Sequence, residues 1–225
     1  MDRTGTPDFD GLRARMLEEI ALYARAAAPA SGRESLDARV MAAMGRVPRH
    51  EFVPEKLRRY AYENMPLPIG FEKTISQPFI IALMLDLLGL RPGDKVLEVG
   101  TGLGYQAALL AELASTVCTV EIVPELGAEA RRRLDRLGYN GILTRIGDGS
   151  QGWTQEAPFD AVILAAAPET LPPRLFEQLA PGGRMVLPLG PEGEQALWVV
   201  TKDRAGRAET RPVLEVSFTA LVRPH

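Results

Sequence analysis

Cysteine, histidine and clustered positive charge are all scarce in this 225-residue chain, and each shortage removes a class of function. The single cysteine, Cys118, has no partner for an internal disulfide. It lies in the apolar run Thr116-Val117-Cys118-Thr119-Val120 and reads as a small buried hydrophobe. Nothing here calls for an oxidising compartment. The two histidines, His50 and His225, are far apart, which leaves almost no material for a histidine-rich metal site or a Ser-His-Asp triad. With 26 Lys and Arg against 29 Asp and Glu, the formal charge is -3, so the chain lacks the electrostatic footprint of a nucleic-acid binder. Its one basic run, Arg131-Arg132-Arg133, sits over Leu134 and Leu137 in a helical pattern and reads as a solvated face. Residues 1–8 lack the apolar stretch of a signal peptide, and the longest apolar segment, Phe79 to Leu90, is broken by Asp86 and too short to span a bilayer. The expectation is a cytoplasmic protein with no nucleic-acid or membrane partner.

What is present is an ordinary globular composition, 46% hydrophobic and 24% charged, in a length that suits one domain with an N-terminal elaboration. Asp10 reads as the cap of a first helix carrying Leu12, Met16, Ile20 and Tyr23, ended by Pro29-Ala30-Ser31-Gly32. A second helix carries Leu36, Val40, Met44 and Val47, and Pro48 stops it before an irregular stretch from Glu51 to Glu72. Ser76 and Pro78 resemble the start of a third helix, lined by Ile80, Ile81, Met84, Leu85 and Leu88 up to Gly89.

From residue 94 short β-branched runs alternate with helical ones, the pattern of an α/β parallel sheet. The expected strands are 95–99, 117–121, 142–146, 159–165 and 184–189, with helices near 105–113, 124–137 and 173–179 between them. Two further runs, 195–202 and 213–222, joined by Asp203-Arg204-Ala205-Gly206, read as a closing antiparallel hairpin. The organisation expected is one domain: a helical, substrate-side region over 1–93, a cofactor-binding βα core over 94–190, and a hairpin over 191–225.

The strongest local signal is Val96-Leu97-Glu98-Val99-Gly100-Thr101-Gly102-Leu103-Gly104-Tyr105, a strand running into a glycine-rich turn and then a helix. Such a turn lets backbone approach a ligand where a Cβ would clash. A dinucleotide fingerprint needs glycine at position 105, where this chain has Tyr105. The carboxylate of Glu98 repels a pyrophosphate and suits a cation, and S-adenosylmethionine carries both an ammonium and a sulfonium. Glu121 at the end of the next strand can accept from both ribose hydroxyls. Asp148, in Gly147-Asp148-Gly149, can accept from the adenine amino group while Gly149 lets the ring lie close. The cofactor set is therefore Glu98, Gly100, Thr101, Gly102 and Gly104, then Glu121 and Ile122, then Asp148 and Gly149. Read singly, the glycines make a tight corner and each acid is a loop charge or a cap. Three acids at consecutive strand ends form a nucleoside-sized constellation. A carboxylate acceptor is already ionised near neutral pH and needs no catalytic histidine.

These residues resemble one family, the protein-L-isoaspartate (D-aspartate) O-methyltransferases. The resemblance covers roughly residues 35 to 222. It runs through Val47-Pro48-Arg49-His50-Glu51-Phe52-Val53-Pro54, Leu67-Pro68-Ile69-Gly70, Thr74-Ile75-Ser76-Gln77-Pro78, Gly147-Asp148-Gly149-Ser150-Gln151-Gly152-Trp153 and Leu179-Ala180-Pro181-Gly182-Gly183. It implies a Rossmann-like class I methyltransferase fold, with a mostly parallel seven-stranded sheet, an antiparallel hairpin at its end and an N-terminal helical extension. It also implies an enzyme that uses S-adenosyl-L-methionine to esterify the α-carboxyl of L-isoaspartyl residues in damaged proteins or peptides; a monomer is the expected state. By position, Ser76 is implied as the active-site serine, and Thr74, Ile75, Leu221 and Val222 as lining the substrate side. Read from the residues alone, Ser76 caps the helix at Pro78.

The departures fall on the substrate side. Phe71-Glu72-Lys73 stands where the family places small or amide residues, and Phe218-Thr219-Ala220-Leu221-Val222 lacks the family's proline. They motivate an enzyme dedicated to one peptide. A non-catalytic cofactor-binding module and an NAD-dependent oxidoreductase are the readings from other classes, separated from these by turnover and by cofactor titration.

Overall fold

The computed structural model describes residues 7–222. His225 and Arg223 lie outside the described residues, as do Met1 to Thr6. Among the described residues nine strands and six helices follow in chain order, and the seven-stranded sheet expected from the residue-94-onward pattern is present with a helical N-terminal extension.

Helix α1 (Phe9–Ser31) starts two residues earlier than expected, because Asp8 rather than Asp10 caps it, accepting from the Gly11 N–H at 3.0 Å. It also continues through Pro29. In the last turn the missing proline N–H costs one hydrogen bond, and Gly32 at φ 70° then closes the helix by donating to the Ala28 carbonyl. Helix α2 (Ala38–Arg46) is capped by Asp37, and 3-10 turns follow at Arg49–Phe52 and Glu55–Tyr60. The stretch expected to be irregular contains a hairpin, β1 (Leu67–Gly70) with β2 (Lys73–Ile75), pairing Leu67 with Ile75. Its turn residues Phe71 and Glu72 both take positive φ, 52° and 56°, a turn that Asn-Gly makes more easily.

Helix α3 (Pro78–Leu88) has Gln77 at its N-cap, with no side-chain cap of its own. The Phe79 N–H donates instead to Asn64 Oδ1 at 3.0 Å, so a distant loop satisfies the helix end and Ser76 is not its cap. Almost every side chain of α3 is buried, as expected for a helix apolar all round, here held between α1, α2 and the sheet.

The main sheet then builds as β3 (Lys95–Val99), α4 (Tyr105–Ala111), β4 (Thr116–Glu121), α5 (Pro124–Arg136), β5 (Leu143–Ile146), β6 (Phe159–Leu164), α6 (Pro173–Glu177), β7 (Leu179–Leu189), β8 (Ala196–Lys202) and β9 (Ala208–Glu215). The strand order is β5-β4-β3-β6-β7-β8-β9; the first five are parallel and the last two antiparallel. Alternation along β3 and β4 splits the core. Val96 and Val117 face the cluster under α3, α4 and α5, while Leu97, Val99, Cys118 and Val120 face the one containing Leu175 of α6.

Two strand expectations need correction. β7 begins at Leu179 rather than residue 184, because Leu179 already pairs with Phe159 and residues 180–183 bulge, with Gly182 at φ 82°, before Arg184 pairs with Ala161. The closing strand is Ala208–Glu215, not 213–222. Asp203 Oδ1 accepts from the N–H groups of both Ala205 and Arg207 at 2.8 Å, which ends the turn at 207 and restarts pairing at Lys202 with Ala208. Its first five residues are exposed and carry no strand signal, because an edge strand needs no apolar face, and Pro212 is tolerated there. Residues 216–222 leave the sheet and turn back over its carboxyl edge, where Ala167 and Ala220 form a lone parallel bridge.

Leu83 is fully buried at the centre of α3. Leu83→Ala is expected to cost roughly 2–5 kcal/mol, read by urea denaturation as a lower midpoint with an unchanged slope.

Candidate active site

The parallel strands bring their carboxyl ends to one edge, and the chain order changes direction between β3 and β6. Open α/β sheets bind ligands at that switch point. Two cavities lie along this edge. One, of about 1040 Å³, is lined by Thr74, Ser76, Gln77 and the segments 192–196 and 215–219. The other, of about 70 Å³, is lined by the glycine turn, Glu121, Ile122, Gly149 and residues 219–222. Thr74, Ala165 and Thr219 border both.

Strand geometry decides which members of Thr74-Ile75-Ser76 reach the cavities. Successive side chains of β2 point to opposite faces. Thr74 and Ser76 therefore line cavity walls, while Ile75 is buried in the core beneath them. Leu221 and Val222 reach the smaller cavity, carried there by the returning C-terminal segment. The Ala167 N–H donates to the Thr219 carbonyl at 2.9 Å and the Leu221 N–H to the Ala167 carbonyl at 2.8 Å.

The nine residues expected on the cofactor side divide by depth. Gly100, Gly102, Glu121, Ile122 and Gly149 line the smaller cavity. Gly100 sits at φ 96°, and a Cβ on it would approach the Ala165 methyl to 3.3 Å. A Cβ on Gly149 would collide with Val99 Cγ1. Both glycines therefore keep a cradle open where side chains would fill it. Glu121 is 5% exposed; its Oε2 accepts from the Gly102 N–H at 2.7 Å and its Oε1 from the Val123 N–H at 3.0 Å. Asp148 caps the 3-10 turn Gly149–Gln151 and accepts from the Ser150 N–H at 2.8 Å; it does not line the cavity. Gly104, at φ 94°, faces Leu134 of α5, so its bare Cα serves helix packing.

Glu98 and Thr101 lie beneath the turn. The Thr119 hydroxyl donates to Glu98 Oε2 at 2.6 Å and pairs with the Thr101 hydroxyl at 2.6 Å. Glu98 is 0% exposed, and its Oε1 is buried without a partner, as is Gln106 Nε2 beside it. Burial, with the charge of Glu121 adding to it, pushes the Glu98 carboxyl up to about 8. An acid in that state gains most from a nearby cation.

The glycine cradle, Glu121 at its wall and the buried Glu98 beneath fit S-adenosylmethionine in chemistry, and residues 219–222 complete the wall of the cavity.

The family model for protein-L-isoaspartate(D-aspartate) O-methyltransferase matches residues 31–225. This chain belongs to that family. It is 53% identical over 214 residues to protein-L-isoaspartate O-methyltransferase 1 of Cupriavidus necator, covering 95% of this chain and 83% of the relative. A protein of the same name from Polaromonas sp. strain JS666 is 53% identical over 215 residues, covering 96% and 91%. A solved protein-L-isoaspartate O-methyltransferase superposes with TM-score 0.78 at 26% identity, covering 92% of this chain and 65% of that longer one. A Plasmodium falciparum protein described as a beta-aspartate methyltransferase, solved with S-adenosyl-L-homocysteine, shares the fold at TM-score 0.78 and 21% identity, covering 97% and 100%. Family membership makes S-adenosylmethionine the cofactor and gives the class I methyltransferase fold its meaning.

Lys73, from the departing Phe71-Glu72-Lys73 turn, lines the smaller cavity with Ala165 and Ala166. Glu192, Glu194 and Glu215, which the sequence does not single out, line the larger one. The small run Ala165-Ala166-Ala167 at the end of β6 was a usable signal, since the switch point needs a small wall there. The glutamates are brought in by the hairpin from remote positions, and no local pattern marks them.

A carboxyl held at about 8 in the folded chain against 4.5 ordinarily binds more protons folded than unfolded between those values. Stability contributed by Glu98 therefore falls as pH rises from about 4.5 through 8, by at most roughly 1.4 kcal/mol per pH unit. Glu98→Gln is expected to flatten that slope in thermal melts of the ligand-free protein between pH 5 and 9; an unchanged slope contradicts the assignment. Gly149→Ala is expected to lose roughly 1–3 kcal/mol by overpacking against Val99 and to weaken S-adenosylhomocysteine binding in calorimetry.

Proposed function

We propose that this protein transfers the methyl group of S-adenosylmethionine to the α-carboxyl of L-isoaspartyl residues in damaged proteins or peptides, the ester then returning through succinimide toward normal aspartate. The observation that carries the reading is the meeting of the two cavities at Thr74, next to Ser76: a glycine-cradled chamber on one side and a peptide-sized one on the other.

When bound, S-adenosylmethionine supplies a methyl carbon on a sulfonium, open to in-line attack, with a neutral thioether as leaving group. The chain's own residues orient and enclose. Glu121 takes the ribose hydroxyls, and Asp148 with Gly149 the adenine edge; Gly100, Thr101, Gly102, Gly104 and Ile122 shape the turn around them. Glu98, beneath the turn, complements the cofactor's positive charge. Ser76 directs its hydroxyl at the acceptor carboxylate, Thr74, Leu221 and Val222 shape the pocket, and Ile75 acts only from the core beneath them. No general base is needed, because that carboxylate is ionised at neutral pH. Placement and exclusion of water are what the protein adds, an effect that reaches about 7–11 kcal/mol in favourable systems.

The same reading assigns residues 1–93 to the substrate side, 94–190 to the cofactor core and 191–225 to the closing hairpin. It assigns the protein to the cytoplasm as a monomer without a nucleic-acid or membrane partner. Support comes from the near-balanced charge and the single buried cysteine; among the described residues no helix is long and apolar enough to cross a membrane.

Incubation with labelled S-adenosylmethionine is expected to give a base-labile ester on an isoaspartyl peptide and none on its aspartyl twin. Equal labelling of both, or of neither, refutes the substrate assignment. Ser76→Ala is expected to lower kcat/KM for the isoaspartyl peptide roughly 10- to 100-fold, the worth of one hydrogen bond to a charged group, with S-adenosylhomocysteine affinity unchanged.

A further inference from the structure

Arg49 is a fully buried guanidinium, 0% exposed, in the 3-10 turn after α2. Its Nε donates to the Ala61 carbonyl and its Nη2 to the Ser76 carbonyl, each at 2.8 Å. The third nitrogen, Nη1, is buried without a partner. The guanidinium carbon stands 4.9 Å from the centre of the Tyr105 ring. Among the described residues no carboxylate neutralises it; the groups facing it are the phenols of Tyr105 and Tyr62, both raised by burial. Burial lowers Arg49 to about 10, which leaves it charged at neutral pH.

An unpaired buried cation is a poor way to join two carbonyls. Its desolvation is not recovered by an ion pair, and a neutral donor of similar length could make comparable bonds without it. What only a cation supplies is a field, and the field falls on the backbone of Ser76, whose side chain borders the larger cavity. The acceptor in the proposed reaction is an anion held at that serine.

We propose that Arg49 is a positioning residue for methyl transfer: it locks the β2–α3 junction through the Ser76 carbonyl, and its unneutralised charge holds the acceptor carboxylate at Ser76. The inference rests on the reading of Ser76 as the acceptor-side serine. It predicts that the site discriminates between an anionic and a neutral side group at the same peptide position, and that the discrimination depends on the charge at residue 49.

The test uses the full chain and two forms of one peptide, isoaspartyl and its α-amide. Wild type and the variants R49Q and R49K are compared by thermal melting, S-adenosylhomocysteine affinity, kcat and KM for the isoaspartyl form, and inhibition by the amide. In R49Q the preference for the isoaspartyl over the amide form is expected to fall by about tenfold or more, with S-adenosylhomocysteine affinity within about twofold of wild type. R49K keeps the charge and loses the fork, so its preference should stay within about threefold of wild type while kcat drops. Equal weakening of both peptide forms in R49Q, or no weakening, overturns the charge role and leaves Arg49 a structural tie. Should R49Q not fold, R49K decides: retained preference with lowered kcat supports the proposal, and lost preference overturns it. Failure of the underlying function looks different, because wild type itself would then not methylate the isoaspartyl peptide.

Discussion

Parallel pairing of β3 with both of its neighbours is the constraint on which the site depends. Val99 stands opposite Val120 on one side and Leu164 on the other, so three strands end on one line. The ladder continues one residue beyond: Gly100 donates to Val120, Ala165 to Val99 and Gly147 to Glu121, all between 2.8 and 2.9 Å. Because these turns begin in register, Gly100, Glu121, Gly149 and Ala165 open onto the same cavity although they are spread over 66 positions of the chain. A one-residue slip would turn every strand side chain to the other face and exchange Glu98 for a core residue.

The register also sets the electrostatics. Glu98 faces the same side of the sheet as Thr119, beneath the turn, while Arg49 lies behind Ser76 at the start of α3. Both are fully buried, and each keeps an atom without a hydrogen-bond partner. A fold selected only for stability gains nothing from a buried acid and a buried cation that each lack a partner. A methyl transfer from a cation to an anion has use for a carboxyl on the donor side and a positive field on the acceptor side. The wall of the smaller cavity is mostly small and apolar, with Val99, Ala165 and Ala166 in it, whereas Glu192, Glu194 and Glu215 line the larger one.

Much of the core could be read in advance, for a definite reason. Strands β3, β4 and β6 are buried on both faces and so appear as mostly apolar runs, broken by Glu98, Thr119 and Asp160, and the Gly100-Thr101-Gly102-Leu103-Gly104 turn declares itself where backbone must bend through positive φ. The β1–β2 hairpin did not declare itself, because Phe71-Glu72 is not the residue pair its turn favours; the burial of Leu67 and Ile75 holds it instead. Strand β9 was misplaced because its first five residues are exposed and carry no alternation. Ser76 looks like a helix cap in the sequence because the true partner of the helix end, Asn64, comes from a loop fifteen residues before Phe79.

The chain's local order was therefore determined by the residues themselves: the strand–glycine turn–helix unit, the alternation of strands and helices, the chemistry of an acid at each strand end, and the Thr74-Ile75-Ser76 segment. Tertiary structure alone decided depth and company. It put Glu121 at a cavity wall and Glu98 under it, turned Ile75 inward, swung residues 219–222 over the carboxyl edge and placed an unpaired arginine behind the serine. The physical reason is that periodicity reports which side of an element is buried, whereas the partner met there, and hence the charge state, follows from how remote elements pack.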